Sequence, residues 1–391
     1  MNDNVGGSDN GLSNSDLTEL IAWRRKLHQH PEISGEEEET AREVVAFLAS
    51  THPDRVLTGL GGHGVAVVYD SGKPGPTVLF RAELDALPIE ELSDAPHRSR
   101  VPGKSHMCGH EGHTTILAAL GRQLGRRRPA RGRAVLMFQP AEETGAGAAA
   151  VVANPRFREI APDLAFSLHN LPGVPLGHVR LKEGVVNCAS RGMRIALTGK
   201  TAHSSMPETG TSPMRAISRL MPALQELGGG DFTSDDFAMT TVTHARMGEA
   251  VFGVAPGYAE VWVTLRTRLD ERMADLVAAA EELARSEAAK HGLGGEIDYH
   301  EIFVASLNSA EATGHLRAAL DAERVPHDEA GLPMRASEDF GTFGHGAKSA
   351  MFFLGSGVDH PALHNPDYDF PDDLIPIGAR VFLRVARNLL G

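Results

Sequence analysis

The sequence is short of several things, and each shortage excludes something. Its 391 residues contain two cysteines, Cys108 and Cys188. No disulfide framework can therefore hold the fold, and a reducing, cytoplasmic setting is expected. Aromatic residues make up 5% of the chain, and 38 basic residues face 51 acidic ones, for a formal charge of −13 at pH 7. No nucleic-acid partner is expected, because such binding needs a basic face that displaces counterions. No apolar run approaches the roughly 20 residues of a membrane-spanning helix, so no membrane association is expected either. Residues 1–16 are rich in Asn, Asp, Gly and Ser without an apolar run, and read as a disordered tail rather than a signal peptide. The length exceeds what one core usually supports, which points to two or three domains.

What is present in abundance is local. In Ser105-His106-Met107-Cys108-Gly109-His110-Glu111-Gly112-His113, three histidines and a cysteine fall within eight residues, with two glycines that let the backbone turn. Imidazole and thiol together suit a borderline divalent metal such as zinc. With 19 histidines in the chain, a chance cluster is the competing explanation. A closed structural zinc site needs four protein ligands, so further ligands must come from elsewhere.

Periodicity supplies the frame. Helical apolar spacing over 17–30 takes in Leu20, Trp23, Arg24, Leu27 and His28 and stops at Pro31, which cannot continue a helix. Ser34 and Glu37 predict a capping box for a second helix carrying Ala41, Val44, Val45 and Leu48. The glutamates at 36–39 are expected to be a solvated first turn. Apolar runs at 65–69, 77–82, 134–138 and 164–168, with a helical stretch at 114–124, alternate as in an open α/β sheet. In such sheets ligands bind past the carboxyl ends of strands. The polar residues standing there are Glu83 and Asp85, then Glu142 and Glu143, then His169.

From about residue 190 the pattern changes. Strands are predicted at 192–197, 240–245, 260–266 and 296–303, with helices at 212–227 and 273–290, the element order of a ferredoxin-like module. The first pattern then resumes with a strand at 351–354 and a helix at 375–390. This predicts one domain over 17–189 and 304–391, interrupted by a second at 190–303. The short basic loop 126–133 reads as a solvated connection.

Glu142 and Glu143 follow a predicted strand, and adjacent residues of extended backbone point in different directions. A division of labour is expected, one binding metal and the other accepting a proton. Two solvated glutamates at a helix start are the alternative. His169 and His364, each followed by Asn, could equally be satisfied structural histidines.

Taken together, these stretches resemble the family-twenty metallopeptidases and, within them, the amidohydrolase branch of auxin-conjugate amidohydrolases, hippurate hydrolases, N-acetyl-diaminopimelate deacetylases and bacterial aminoacylases. The resemblance is carried in order by His28-Gln29-His30-Pro31-Glu32, 81–88, 106–113, Gln139-Pro140-Ala141-Glu142-Glu143 through Gly147, Leu168-His169-Asn170-Leu171-Pro172, 199–207, 337–341 and 364–370. It implies a zinc-peptidase-like α/β catalytic domain with an inserted ferredoxin-like α+β dimerisation (lid) domain. It implies two divalent metal ions per chain, zinc, manganese, cobalt or nickel, held by Cys108, His110, Glu143, His169 and His364. Glu142 matches the general base, and Asp85 matches the residue that orients a metal-bound histidine. His203 matches the histidine that reaches an active site across a homodimer interface and polarises the scissile carbonyl. The activity implied is hydrolysis of the amide bond of N-acyl amino acids or related conjugates.

Some residues depart from the pattern. Glu83 and Glu111 stand where the branch usually carries Asp. Gly253 stands where the family carries an Asn that helps hold substrate, so anchoring must differ, with Arg246 or Arg266 as candidates because a planar guanidinium suits a carboxylate. Three other readings stay open: a dipeptidase or carboxypeptidase of the same family, a thiol amidase using Cys108 and His110, and a non-catalytic protein that binds amino-acid conjugates.

Overall fold

The structure, a computed structural model, describes residues 11–391. Most of the predicted tail, 1–10, lies outside the described residues. The rest of it, 11–16, is corrected in part, because the first helix, Asn14–Gln29, begins earlier than the apolar spacing suggests. Ser13 and Asp16 close a capping box on its first turn, and Asp16 also accepts from Arg122 and Arg126. The described chain divides into two compact units. One comprises the residues up to Val186 with Leu307–Leu332 and Asp339–Gly391; the other comprises Asn187–Ser306 with Pro333–Glu338.

The first unit is built on an eight-stranded mixed sheet. Its order is Arg55–Leu60, Gly64–Asp70, Arg133–Gln139, Thr77–Glu83, Leu164–Pro172, Lys348–Gly357, Val179–Arg180, His327–Asp328. The strands from Arg133–Gln139 to Lys348–Gly357 run parallel. They are buried along nearly their whole length, as strands covered on both faces must be. The helix His110–Arg126 is also buried along most of its length. With Asn14–Gln29, Ala310–Ala322 and Leu374–Leu390 it supplies the core around Phe80, Phe166, Phe352 and Phe382.

Ser34 and Glu37 do not form the predicted capping box. The second helix, Glu38–Ala49, starts without a side-chain cap. The Ser34 hydroxyl donates instead to Asp85 Oδ2 at 2.7 Å. Glu37, far from solvated, is fully buried and accepts from the main-chain N–H groups of Gly35 and Ala141. Ser34 and Glu37 thus serve remote partners, Asp85 and Ala141, in place of the helix cap.

The second unit is a four-stranded antiparallel sheet, Ala238–Met247, Tyr258–Thr267, Ala189–Thr198, Gly294–Phe303. Helices Met214–Glu226 and Asp270–Lys290 enclose its core with Met193, Ile195, Val261 and Leu265. Counted along the chain and in that order, the strands are the second, third, first and fourth, the ferredoxin-like arrangement. The distant segment Pro333–Glu338 joins this unit because its main chain is needed there. Cys188 N–H donates to Ala336 O, and Arg266 Nη1 donates to Arg335 O and, at 2.6 Å, to Ser337 Oγ.

Candidate metal centre

Three neighbouring parallel strands deliver their carboxyl ends to one place. Thr77–Glu83 leads to Asp85, Arg133–Gln139 leads to Glu142 and Glu143, and Leu164–Pro172 carries His169. The fourth contributor is the start of helix His110–Arg126, preceded by Gly109 at φ +85°. A Cβ on Gly109 would lie 2.6 Å from Asn170 Nδ2 and 2.9 Å from Tyr368 Oη, so only glycine allows Cys108 and His110 to flank this close approach. Ala141 and His364 also hold positive φ, 51° and 65°. Such strain tends to persist where surrounding structure imposes it.

Cys108, His110 and His169 bring their ligand atoms within 4.8 Å of one another, as do His110, Glu142 and Glu143, and also Cys108, Glu143 and His364. The six residues thus form one connected cluster. His110 Nδ1 donates to Asp85 O at 2.9 Å, with the Asp85 carboxylate 3.3 Å away. Its Nε2 is left buried without a hydrogen bond, 3.7 Å from Glu142 Oε2 and 3.8 Å from Glu143 Oε1. His169 Nδ1 donates to Asn170 O at 2.7 Å, which turns Nε2 toward Cys108 Sγ at 3.5 Å. His364, half-exposed, sets Nε2 3.6 Å from Glu143 Oε2. Asp85 binds both arms of the site, because its Oδ2 accepts from Glu143 N–H at 2.9 Å.

His113 is placed differently. Its Nδ1 donates to Glu83 Oε2 at 2.7 Å and its Nε2 accepts from Asn170 N–H at 3.0 Å, so both ring nitrogens are already used. Glu83 is in turn paired with Arg81, which also reaches Asp339 at 2.6 Å. Arg81, Glu83 and Asp339 thus form one buried chain of charge that leads to His113.

Burial and the carboxylates around His110 set the electrostatics of the cluster. Burial disfavours charge on His110, yet Asp85, Glu83 and Glu143 outweigh it and raise its pKa to about 10. Burial, followed by Glu143 and Glu142, pushes the Cys108 thiol well up. Burial and the neighbouring His113 lower His169 to about 3, leaving a neutral imidazole.

Residues 79–388, more than half of the chain, match the description of Peptidase family M20/M25/M40. The chain belongs to this family. It is 30% identical over 378 residues to the putative amidohydrolase YhaA of Bacillus subtilis, covering 94% of each chain. It is 28% identical to the IAA-amino acid hydrolase ILR1-like 5 of Arabidopsis thaliana, over 95% of this chain and 86% of that one. Among solved structures, the Bacillus subtilis YXEP protein, described as a dinuclear metal binding peptidase from the M20 family, superimposes with a TM-score of 0.80. It is 25% identical, over 97% of this chain and 99% of that one. This M20 chain is therefore a hydrolase with the two-unit α/β architecture of its family.

Beyond the cluster, the first unit holds a charged network that sequence reasoning missed. Arg24, buried, reaches Asp369 at 2.6 Å, Asp372 at 2.9 Å and Glu111 at 3.3 Å. His28 Nδ1 lies 2.8 Å from Glu111 Oε1. The network ties the first helix to the residue after His110 and to the segment following His364. The signal was visible, since Arg24 and His28 interrupt an otherwise apolar stripe at helical spacing, and a buried charge demands partners. Glu111, one of the unusual glutamates, therefore serves this network.

In the second unit of this M20 chain, His203 is exposed, and its Nδ1 accepts from Ser205 N–H at 3.2 Å. That contact assigns the ring proton to Nε2. Arg246 is engaged by the buried Glu260 at 2.8 Å. Arg266 makes no carboxylate ion pair among the described residues, and burial lowers its pKa.

Proposed function

We propose that the chain hydrolyses the amide bond of N-acyl amino acids or related amino-acid conjugates in a metal-dependent reaction. The observation that carries this reading is the convergence of Cys108, His110, Glu142, Glu143, His169 and His364 beyond three parallel strands, with His110 Nε2 buried and lacking a hydrogen bond. The donors fit divalent ions: His110 and His169 commit Nδ1–H to carbonyl oxygens, which makes Nε2 of each ring the atom that would bind a metal, with the ion displacing the proton that the surrounding carboxylates favour on His110. A thiol, imidazoles and carboxylates together suit zinc, manganese, cobalt or nickel. Cys108, His110, Glu143, His169 and His364 would hold two such ions, in keeping with the similarity to a dinuclear relative; when bound, they supply Lewis-acid polarisation of a carbonyl and a more acidic water.

The chain's own groups do the rest. Glu142 accepts the proton of the attacking water on a carboxylate oxygen and returns it to the nitrogen of the leaving amine. Asp85 fixes the His110 ring and the Glu143 main chain in register, so the two adjacent glutamates divide the work. His203 donates Nε2–H to the carbonyl oxygen as negative charge builds there, reaching the active site across a homodimer interface formed by the inserted unit. Arg266, which makes no carboxylate ion pair among the described residues, receives the substrate carboxylate; Arg246 would first have to leave Glu260. Attack by Cys108 is disfavoured, since as a metal ligand it would be held as a bound thiolate with no freedom to attack.

The test strips the protein of metal, restores one metal at a time, and measures amine release from N-acetyl, N-benzoyl and indole-acetyl amino acids and from dipeptides. Metal-restored turnover of acyl amino acids is expected. Glu142→Gln should keep metal while losing at least ~100-fold in turnover, the scale of a general base. Activity that survives chelation but not alkylation would transfer the chemistry to Cys108. Faster cleavage of dipeptides would make the protein a peptidase, and no turnover with two ions bound would make it a binding protein.

A further inference from the structure

Within the second unit, the short strand Ala202–His203 pairs with Val254–Ala255, and Val254 lies opposite His203. Ser204 N–H donates to Gly253 O at 3.1 Å, which fastens residue 253 beside the histidine. Next to it in the chain, Phe252 is fully exposed. Val251, Val254 and Met206 are each at least half exposed, and Met206 N–H donates to His203 O at 2.8 Å. Single exposed apolar residues are ordinary, whereas several grouped around one polar residue point to something that covers them.

We propose that Phe252 forms the contact for an apolar, ring-sized acyl group of the substrate, an inference that rests on the amidohydrolase reading above. If His203 Nε2 acts on the scissile carbonyl, the residues fastened to His203 lie beside the groups attached to that carbonyl. One of those groups is an amino acid that carries a carboxylate; the other is an uncharged acyl chain. Segments 202–206 and 250–256 contain no charged residue, and the nearest charges in sequence are Lys200, Glu208 and Glu249. These two segments offer no charged side chain to pair with a carboxylate, so they suit the uncharged acyl side. Gly253 sharpens the assignment. A Cβ there would meet nothing within 4 Å, so the loop leaves open space beside Phe252, whose ring is the largest and most exposed of the apolar side chains grouped there.

The experiment compares kcat/KM for the N-benzoyl and N-acetyl derivatives of one amino acid in the metal-reloaded full chain, for wild type, Phe252→Ala and Phe252→Trp. The ratio of benzoyl to acetyl should fall about tenfold in Phe252→Ala, the scale of one aromatic contact with partial burial. It should be retained in Phe252→Trp. Benzoate binding measured by calorimetry should weaken in the same order. A ratio unchanged in Phe252→Ala overturns the proposal. If that unchanged ratio comes with loss of an oligomer in sedimentation, the patch belongs to a second copy of the chain. If wild type turns over dipeptides but no acyl amino acid, the amidohydrolase reading itself fails and takes this inference with it.

Discussion

Replacing Asp85 by asparagine swaps a carboxylate for an amide of the same size and disturbs three contacts at once. Oδ2 accepts from Ser34 Oγ at 2.7 Å and from Glu143 N–H at 2.9 Å, while Oδ1 lies 3.3 Å from His110 Nδ1. Asparagine has one acceptor oxygen. With that oxygen toward Glu143 N–H, the amide NH2 faces the protonated Nδ1 of His110; flipped, it faces the main-chain N–H of Glu143. In either orientation one buried donor meets another, at a cost of about 1–3 kcal/mol. Because His110 and Glu143 are both proposed ligands, that cost should appear as weaker metal binding. Converted at 1.36 kcal/mol per decade, it corresponds to roughly 5- to 150-fold. Loss of a group that orients metal ligands independently suggests about 10- to 100-fold, so the two scales agree. The assay is titration of metal-free wild type and Asp85→Asn with zinc against a competing chelator, with circular dichroism confirming the fold. Metal affinity within about twofold of wild type would refute the positioning role of Asp85.

Two further predictions concern the network behind the site. Arg24→Met removes the cation shared by Glu111, Asp369 and Asp372 and leaves buried carboxylate uncompensated. It should lower unfolding free energy in urea by about 3–5 kcal/mol; a loss below ~1 kcal/mol would mean that water or His28 compensates. His28 gives a pH signature. Burial opposes its charge, but Glu111 and Glu91 raise its pKa from 6.5 to about 9. Protonated His28 therefore stabilises the fold fully below pH 6.5, and that stabilisation is lost as pH rises through about 9. At 1.36 kcal/mol per unit the contribution is ~3 kcal/mol. Stability curves of metal-free wild type and His28→Gln should converge over that interval, and parallel curves would refute the assignment.

Much of the architecture was legible along the chain. The strands at 77–82, 134–138 and 164–168 are continuous apolar runs because parallel strands are covered on both faces; the run at 65–69 is antiparallel to both its neighbours yet equally buried, and observed strands contain all four. The inserted unit was legible because its alternating strands and two helices follow one another in the order that defines the module. The place where the candidate cluster gathers was legible for the same reason, since polar residues just past neighbouring strand ends of an open α/β sheet come together.

Other features were decided by tertiary structure alone. The sequence placed His106, Cys108, His110 and His113 within eight residues but could not say which ring faces the cluster. Glu83 and Asn170 occupy both nitrogens of His113, whereas Asp85 takes one nitrogen of His110 and leaves the other open. Ser34 and Glu37 obeyed a local capping pattern and yet serve Asp85 and Ala141, residues far along the chain. Arg24 stood out on its apolar stripe, but its partner Asp369 lies 345 residues away. Periodicity and turn residues record the interactions of near neighbours, so a sequence determines elements and the rough place of a site. Which donor meets which acceptor depends on burial and on distances between remote segments, and those exist only once the chain has folded.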